Sequence, residues 1–188
     1  KYSNTDKWKF ADFYQRHFSD LSPLLLLEIG VFSGDSLRIW KELFPNTKII
    51  GIDIDPSTKE LNKDLEIYIG DQRDISFLIE VFHCTGYPNI IIDDGGHTRS
   101  QQILTFQYLF PLLQKDSLYI IEDLETSYFD KFEDHIWNDY PVSTMDYLKT
   151  LLDPMDAVGK QWEPPGGQNL HYPTSSITFE PNICIIRK

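Results

Sequence analysis

Five short apolar runs, each ending at a glycine or an acidic residue, constrain this chain more than any other feature. Leu24 to Ile29 stops at Gly30, and Lys48 to Ile54 carries Asp53 near its end. Glu66 to Ile69 stops at Gly70-Asp71. Asn89 to Ile92 stops at Asp93-Asp94-Gly95-Gly96, and Ser117 to Ile121 stops at Glu122-Asp123. Stretches of helical spacing lie between several of them, at 36–43, 74–82 and 99–114. Strand, helix, strand at roughly 20 to 30 residues per unit means βαβ repeats and a parallel sheet. Right-handed crossovers put all the strand C-terminal ends on one edge, where ligands of such sheets bind. Residues 175–187 read as an antiparallel hairpin around Pro181-Asn182 that closes the sheet.

Residues 6–21 place Trp8, Ala11, Phe13, Tyr14, Phe18 and Leu21 near helical spacing, an amphipathic helix. From about 125 to 172 the pattern degrades into Trp, Pro and Gly, and only 143–152 looks helical. A segment of this length inside a compact domain reads as a lid or binding loop. The expectation is one domain: an N-terminal helix over 1–22, a cofactor-binding core over 23–124, a lid and acceptor region over 125–172, and the closing hairpin over 173–188.

Charge narrows the partners. Lys plus Arg number 17 against 29 Asp plus Glu, a formal charge of −12. Phosphate backbones and anionic membrane surfaces repel such a chain, so neither is an expected partner. No apolar run approaches the ~18 residues of a membrane span. Cys84 and Cys184 are isolated, which suits reduced thiols, and no signal-like start is present, so a cytoplasmic location is expected. The chain opens on Lys1 rather than Met. It is read either as a trimmed protein or as a domain of a longer polypeptide, with its oligomeric state open.

Glu28-Ile29-Gly30-Val31-Phe32-Ser33-Gly34 joins the first strand to a helix. Glycines there let backbone approach a ligand. Asp53 ends the second strand, where a carboxylate can accept both hydroxyls of a ribose. The dinucleotide fingerprint G-x-G-x-x-G is absent, and Asp35 at the helix start would repel a pyrophosphate. A ligand with a cationic sulfonium and no phosphate, such as S-adenosylmethionine, suits these residues better. A bare glycine turn explains G-x-x-x-G alone about equally well, and Asp53 tips the balance. Gly70-Asp71-Gln72 adds a polar edge for an adenine ring.

Asp94, Glu122 and Asp123 converge at one sheet edge if the fourth and fifth strands are neighbours. Packed like charges are costly unless a cation or a proton joins them. An all-oxygen set favours Mg²⁺, Mn²⁺ or Ca²⁺ over zinc. His97, three residues past Asp94, is in reach of the same point and suits a general base. For any one of these residues a helix cap or a solvated loop is the commoner explanation. All four together favour a site. His17, His83, His135 and His171 show no partner pattern and are read as surface or packing residues.

These segments resemble a known family. Leu-Leu-Glu-Ile-Gly-Val-Phe-Ser-Gly-Asp-Ser-Leu from Leu26 and Ile-Ile-Gly-Ile-Asp-Ile-Asp-Pro from Ile49 look like the first two motifs of class I S-adenosylmethionine-dependent methyltransferases. Gly70-Asp71-Gln72, Asp93-Asp94-Gly95-Gly96-His97 and the run from Ile121 to Tyr128 are similar to the metal-dependent sugar O-methyltransferases of macrolide biosynthesis, of the mycinamicin and tylosin type. The rhamnosyl O-methyltransferases and the so-called cephalosporin hydroxylase group are similar too, and so is the opening Asn4-Thr5-Asp6-Lys7. The extra N-terminal domain of the macrolide enzymes has no counterpart in these residues.

The resemblance implies an α/β fold: a Rossmann-like, mostly parallel seven-stranded sheet with a C-terminal antiparallel hairpin and an inserted lid. It implies that Asp94, Glu122 and Asp123 bind Mg²⁺ or Mn²⁺ and that His97 is the base. The cofactor set is Glu28, Gly30, Ser33, Gly34, Asp53, Asp71, Gln72 and Asp93. Glu28, Gly30 and Gly34 border the methionine part, Asp53 the ribose, and Asp71 with Gln72 the adenine. The reaction is O-methylation of a sugar or natural-product hydroxyl. Three other readings stand beside it: a methyltransferase domain of an assembly line acting on a carrier-bound hydroxyl or enol, a metal-dependent hydroxylase, and a non-catalytic S-adenosylmethionine-binding domain. A nicotinamide oxidoreductase lacks its glycine fingerprint.

Overall fold

A computed structural model describes residues 7–132, 143–152 and 174–188. The chain first winds as a 3₁₀ turn, Lys7–Phe10, and continues as α1, Ala11–Phe18. Then β1 (Leu25–Ile29), α2 (Asp35–Leu43), β2 (Lys48–Asp53), α3 (Pro56–Leu61) and β3 (Glu66–Ile69) follow. The second half runs α4 (Ile75–Thr85), β4 (Ile90–Asp93), α5 (Arg99–Leu109), β5 (Leu118–Ile121), α6 (Thr144–Thr150), β6 (Ser176–Glu180) and β7 (Ile183–Arg187).

The strands form one seven-stranded sheet of order β3-β2-β1-β4-β5-β7-β6. The first five are parallel, and β7 runs antiparallel to both β5 and β6. This is the expected Rossmann-like, mostly parallel seven-stranded sheet with its closing antiparallel hairpin. The expected neighbourhood of the fourth and fifth strands is present, with Asp93 opposite Ile121.

Both faces of the sheet are covered, so the central strands β1, β4 and β5 are buried at every residue rather than at alternate ones. On β4, Ile91 packs toward α4, α5 and α6 with Phe82, Phe106 and Tyr147. Ile90 and Ile92 pack toward α1 and α2 with Phe18, Trp40 and Phe44. Full burial of each such side chain stabilises the fold by about 1.5–3 kcal/mol.

Two local expectations differ from the structure. Trp8 is 72% exposed rather than part of the apolar face. The turn around it is 3₁₀, whose tighter winding shifts the phase of the following face. A short helix, α3, occupies the β2–β3 connection, where the periodicity shows none. The Asp55 side chain caps it by accepting from the Ser57 N–H, and Pro56 starts it.

Of the lid expected over 125–172, the described part holds two 3₁₀ turns, Leu124–Tyr128 and Asp130–Phe132, and α6. The remainder, with His135 and His171, lies outside the described residues. No helix among the described residues is long and apolar enough to cross a membrane.

Candidate active site

Strand order reverses between β1 and β4, and a cavity of about 1020 Å³ opens at that point. The loops after β1, β2, β3, β4 and β5 all line it. Gly30 has φ +92°, and a Cβ there would overlap the Asp94 carbonyl oxygen. Only glycine lets the loops after β1 and β4 come this close.

Gly30, Ser33, Asp53, Asp71 and Gln72 border the cavity. Asp53 Oδ2 accepts from the backbone N–H of Val31 (2.8 Å) and Phe32 (3.1 Å), and Oδ1 from that of Asp55 (2.9 Å). The carboxylate thus shapes the β1–α2 loop, and its acceptor capacity of about four lone pairs is not exhausted. Asp71 is paired with Arg73 at 2.7 Å, which holds its carboxyl below the usual range.

The other three members of the expected cofactor set, Asp93, Gly34 and Glu28, are not in the lining, and Gln72 has partners inside the fold. The Gln72 side chain donates to Asp93 Oδ1 (3.1 Å) and accepts from the Gly96 N–H (3.0 Å), so it braces the β4 loop. Asp93 is buried under the sheet edge and also accepts from the Tyr119 hydroxyl (3.1 Å). Burial pushes it up to about 7. Gly34 turns the chain into α2 and packs against Asn62, behind the cavity. Glu28 is fully buried, accepts from the Trp40 indole (2.9 Å) and lies outside the cavity lining.

At the end of β4 and β5 the structure brings together Asp94, His97 and Asp123. One ligand atom from each lies within 4.8 Å of the other two. His97 Nε2 is 3.6 Å from Asp123 Oδ2 and 4.0 Å from Asp94 Oδ1. All three residues border the cavity. Both His97 (φ +58°) and Asp123 (φ +52°) hold left-handed backbone, which costs energy for a residue with a Cβ and clusters at functional sites. Thr126 ties the two turns together: its hydroxyl donates to the Asp123 carbonyl (2.8 Å) and lies 3.3 Å from that of His97.

The two carboxylates of this group suit a hard divalent cation, and the imidazole stands beside them within reach of a group bound there. His97 Nδ1 and Glu122 Oε2 are buried side-chain atoms with no hydrogen-bond partner among the described residues. A facial triad for iron needs two histidines, and this group holds one.

Glu122, expected beside Asp123 as a ligand, turns into the interior. Its Oε1 accepts from the Lys7 ammonium (2.7 Å) and from the Tyr14 hydroxyl. The same ammonium donates to Asp94 Oδ2 (2.7 Å) and pairs with Glu28 at 2.9 Å. Lys7 is only 4% exposed. Burial alone would lower its pKa, but Glu122, Glu28 and Asp94 outweigh it and hold the pKa well above the usual lysine range. One ammonium does not compensate three carboxylates, and burial pushes Glu122 up to about 8.

Sequence reasoning assigned Lys7 no role and read Tyr14 as packing. A signal was present: Lys7, Phe10, Tyr14 and Phe18 share one inward face, so a lysine stands where an apolar residue belongs.

No family model matches the chain. It is 29% identical to the 8-demethyl-8-alpha-L-rhamnosyl tetracenomycin-C 2'-O-methyltransferase of Streptomyces olivaceus, over 98% of this chain and 52% of that protein. It is 36% identical to the mycinamicin VI 2''-O-methyltransferase of Micromonospora griseorubida, over 65% of this chain and 33% of that protein. Among solved structures, the MycE methyltransferase from the mycinamycin biosynthetic pathway, in complex with Mg, SAH and mycinamycin VI, superposes with a TM-score of 0.82 at 29% identity. The superposition covers 95% of this chain and 48% of that one. The chain spans about half the length of these relatives, or less.

Proposed function

The homologues of this chain are sugar O-methyltransferases of macrolide and tetracenomycin biosynthesis, and from that premise we propose that it is the catalytic part of an S-adenosylmethionine-dependent, Mg²⁺- or Mn²⁺-assisted O-methyltransferase. Its acceptor is a hydroxyl on the sugar of a natural product. The observation that carries this reading is the meeting of Asp94, His97 and Asp123 at the mouth of the cavity that Gly30 and Asp53 border.

A divalent cation bound there would lower the pKa of an acceptor hydroxyl, and S-adenosylmethionine would supply an electrophilic methyl group. Asp94 and Asp123 would hold the cation. Asp53 would accept from the ribose hydroxyls, and Gly30 with Ser33 would let the methionine part lie against backbone. His97 Nε2 would take the acceptor's proton. The freed oxygen pair would then attack the methyl carbon in line, and the sulfonium would leave as a thioether. Alignment of the two reactants supplies much of the rate. The described part of the 125–172 segment, with Phe132 edge-on to His97 at 6.2 Å, would keep water from that proton transfer.

The test is methyl transfer from methyl-labelled S-adenosylmethionine to a panel of macrolides and rhamnosylated aromatic polyketides, with Mg²⁺ or with excess EDTA. Label on a sugar hydroxyl, lost in EDTA, is the expected result. Full activity in EDTA removes the metal from the scheme. Absence of S-adenosylhomocysteine binding by calorimetry removes the methyltransferase reading.

A further inference from the structure

The acidic group has two halves, and one residue divides them. Lys7 Nζ takes Oδ2 of Asp94 and Oε1 of Glu122, each at 2.7 Å. That leaves Asp94 Oδ1 toward His97 at 4.0 Å, and leaves Glu122 Oε2 buried with no hydrogen-bond partner among the described residues. Tyr14 fixes Glu122 from the same side as Lys7, because its hydroxyl donates to the same Oε1. Glu28, paired with Lys7 at 2.9 Å and bonded to Trp40, anchors the ammonium from beneath.

We propose that Lys7 is a positioning residue of the metal site: it takes Oδ2 of Asp94, and so leaves Oδ1, on the side of His97, to a divalent cation. The inference rests on the metal reading given above. Asp94 bridges the two cations, one a fixed ammonium and one exchangeable. A carboxylate with one oxygen tied has lost its freedom to rotate, so the free oxygen is pre-aimed and less ordering is needed when the ion arrives. The Lys7–Phe10 turn is thereby a structural part of the site, although it lies outside the cavity lining.

The contrary possibility is specific. An ammonium among three carboxylates is also a stand-in that a divalent ion would displace. In that case Lys7 competes with the metal instead of preparing for it. The two differ in what happens to the ammonium when metal binds.

The experiment uses the whole chain labelled with ¹⁵N at its lysines. A buried, ion-paired ammonium exchanges its protons slowly and gives its own resonance, assigned by its absence in Lys7→Arg. The Lys7 resonance is expected to persist at saturating Mg²⁺, shifted but still slow to exchange. Its disappearance with Mg²⁺ means displacement and overturns the proposal. Mn²⁺ binding is read separately by electron paramagnetic resonance. Lys7→Met is expected to bind Mn²⁺ at least about 10-fold more weakly, although it removes a repelling charge. Unchanged or tighter binding by Lys7→Met overturns the positioning role. If Lys7→Met does not fold, the wild-type resonance alone decides. A wild-type chain that binds no Mn²⁺ overturns the metal reading, and this inference with it. Mn²⁺ binding with the Lys7 resonance lost to Mg²⁺ overturns this inference alone.

Discussion

His97 Nε2 lies 3.6 Å from Asp123 Oδ2, and both residues hold left-handed backbone. That conformation costs an ordinary residue about 1–2 kcal/mol, and Asn bears it best after glycine. Asparagine is therefore the substitution that removes the imidazole and leaves the turn alone. His97→Asn is expected to lose on the order of 10²-fold or more in turnover. Its S-adenosylhomocysteine affinity by calorimetry is expected to match wild type. Turnover within about threefold of wild type would show that another group takes the proton.

Asp123 admits the same design. Asp123→Asn keeps the left-handed turn, and Thr126 still bonds the backbone carbonyl. Only the charge and one donor oxygen change. Mn²⁺ affinity should fall at least tenfold, about 1.4 kcal/mol, with urea stability nearly unchanged. Equal Mn²⁺ affinity in the two proteins would remove Asp123 from the ligand set.

The parts of this site that were legible from sequence are those that follow from sheet logic. Asp94 and Asp123 end neighbouring parallel strands, and a parallel sheet places such ends together. The parts that were not legible depend on which way a side chain turns. Asp93 and Asp94 are adjacent, yet Asp93 points under the sheet to Tyr119 while Asp94 borders the cavity. Strand alternation separates them by face, but it does not say which face holds the ligand. Glu122 and Asp123 divide in the same way: Glu122 goes to Lys7 and Asp123 to His97. The place of Lys7 on one face with Phe10, Tyr14 and Phe18 was legible, but its partners were not, because they come from strand ends distant in sequence. Lys7 is buried here because Glu28, Asp94 and Glu122 reward an interior cation.

Gly30 offers a controlled test of the close approach between the loops after β1 and β4. Gly30→Ala adds a Cβ against the Asp94 carbonyl and strains a backbone at φ +92°. Gly86→Ala also strains a positive-φ backbone, at φ +95°, but its Cβ meets only a Leu25 methyl at 4.0 Å. Backbone strain alone should cost each variant about 1–3 kcal/mol in urea unfolding. Gly30→Ala should lose more, and it alone should weaken Mn²⁺ binding, because Asp94 must move. Equal losses with intact Mn²⁺ binding in both would mean that the loops yield without disturbing the site.

Asp93 makes stability of the metal-free protein depend on pH in a direction opposite to an ordinary ion-paired carboxylate. Burial raises it from 3.8 to about 7, although Tyr119 and Gln72 donate to it. Between about pH 4 and 7 the unfolded chain has lost this proton and the folded chain has kept it. The folded state binds more protons there, so stability falls as pH rises, at up to about 1.4 kcal/mol per pH unit. Above the folded pKa both states are ionised, and this contribution stops changing. Glu122, raised to about 8 by burial, acts in the same direction, so the wild-type curve alone does not isolate Asp93. Asp93→Asn does. The amide can still accept from Gln72, and its NH₂ can donate to a rotated Tyr119 hydroxyl, without an ionisable group in either state. Relative to wild type, Asp93→Asn should gain stability steadily from pH 5 to pH 7 in urea titrations without metal. Parallel curves for the two proteins over that range would show that Asp93 ionises at its ordinary pKa despite its burial.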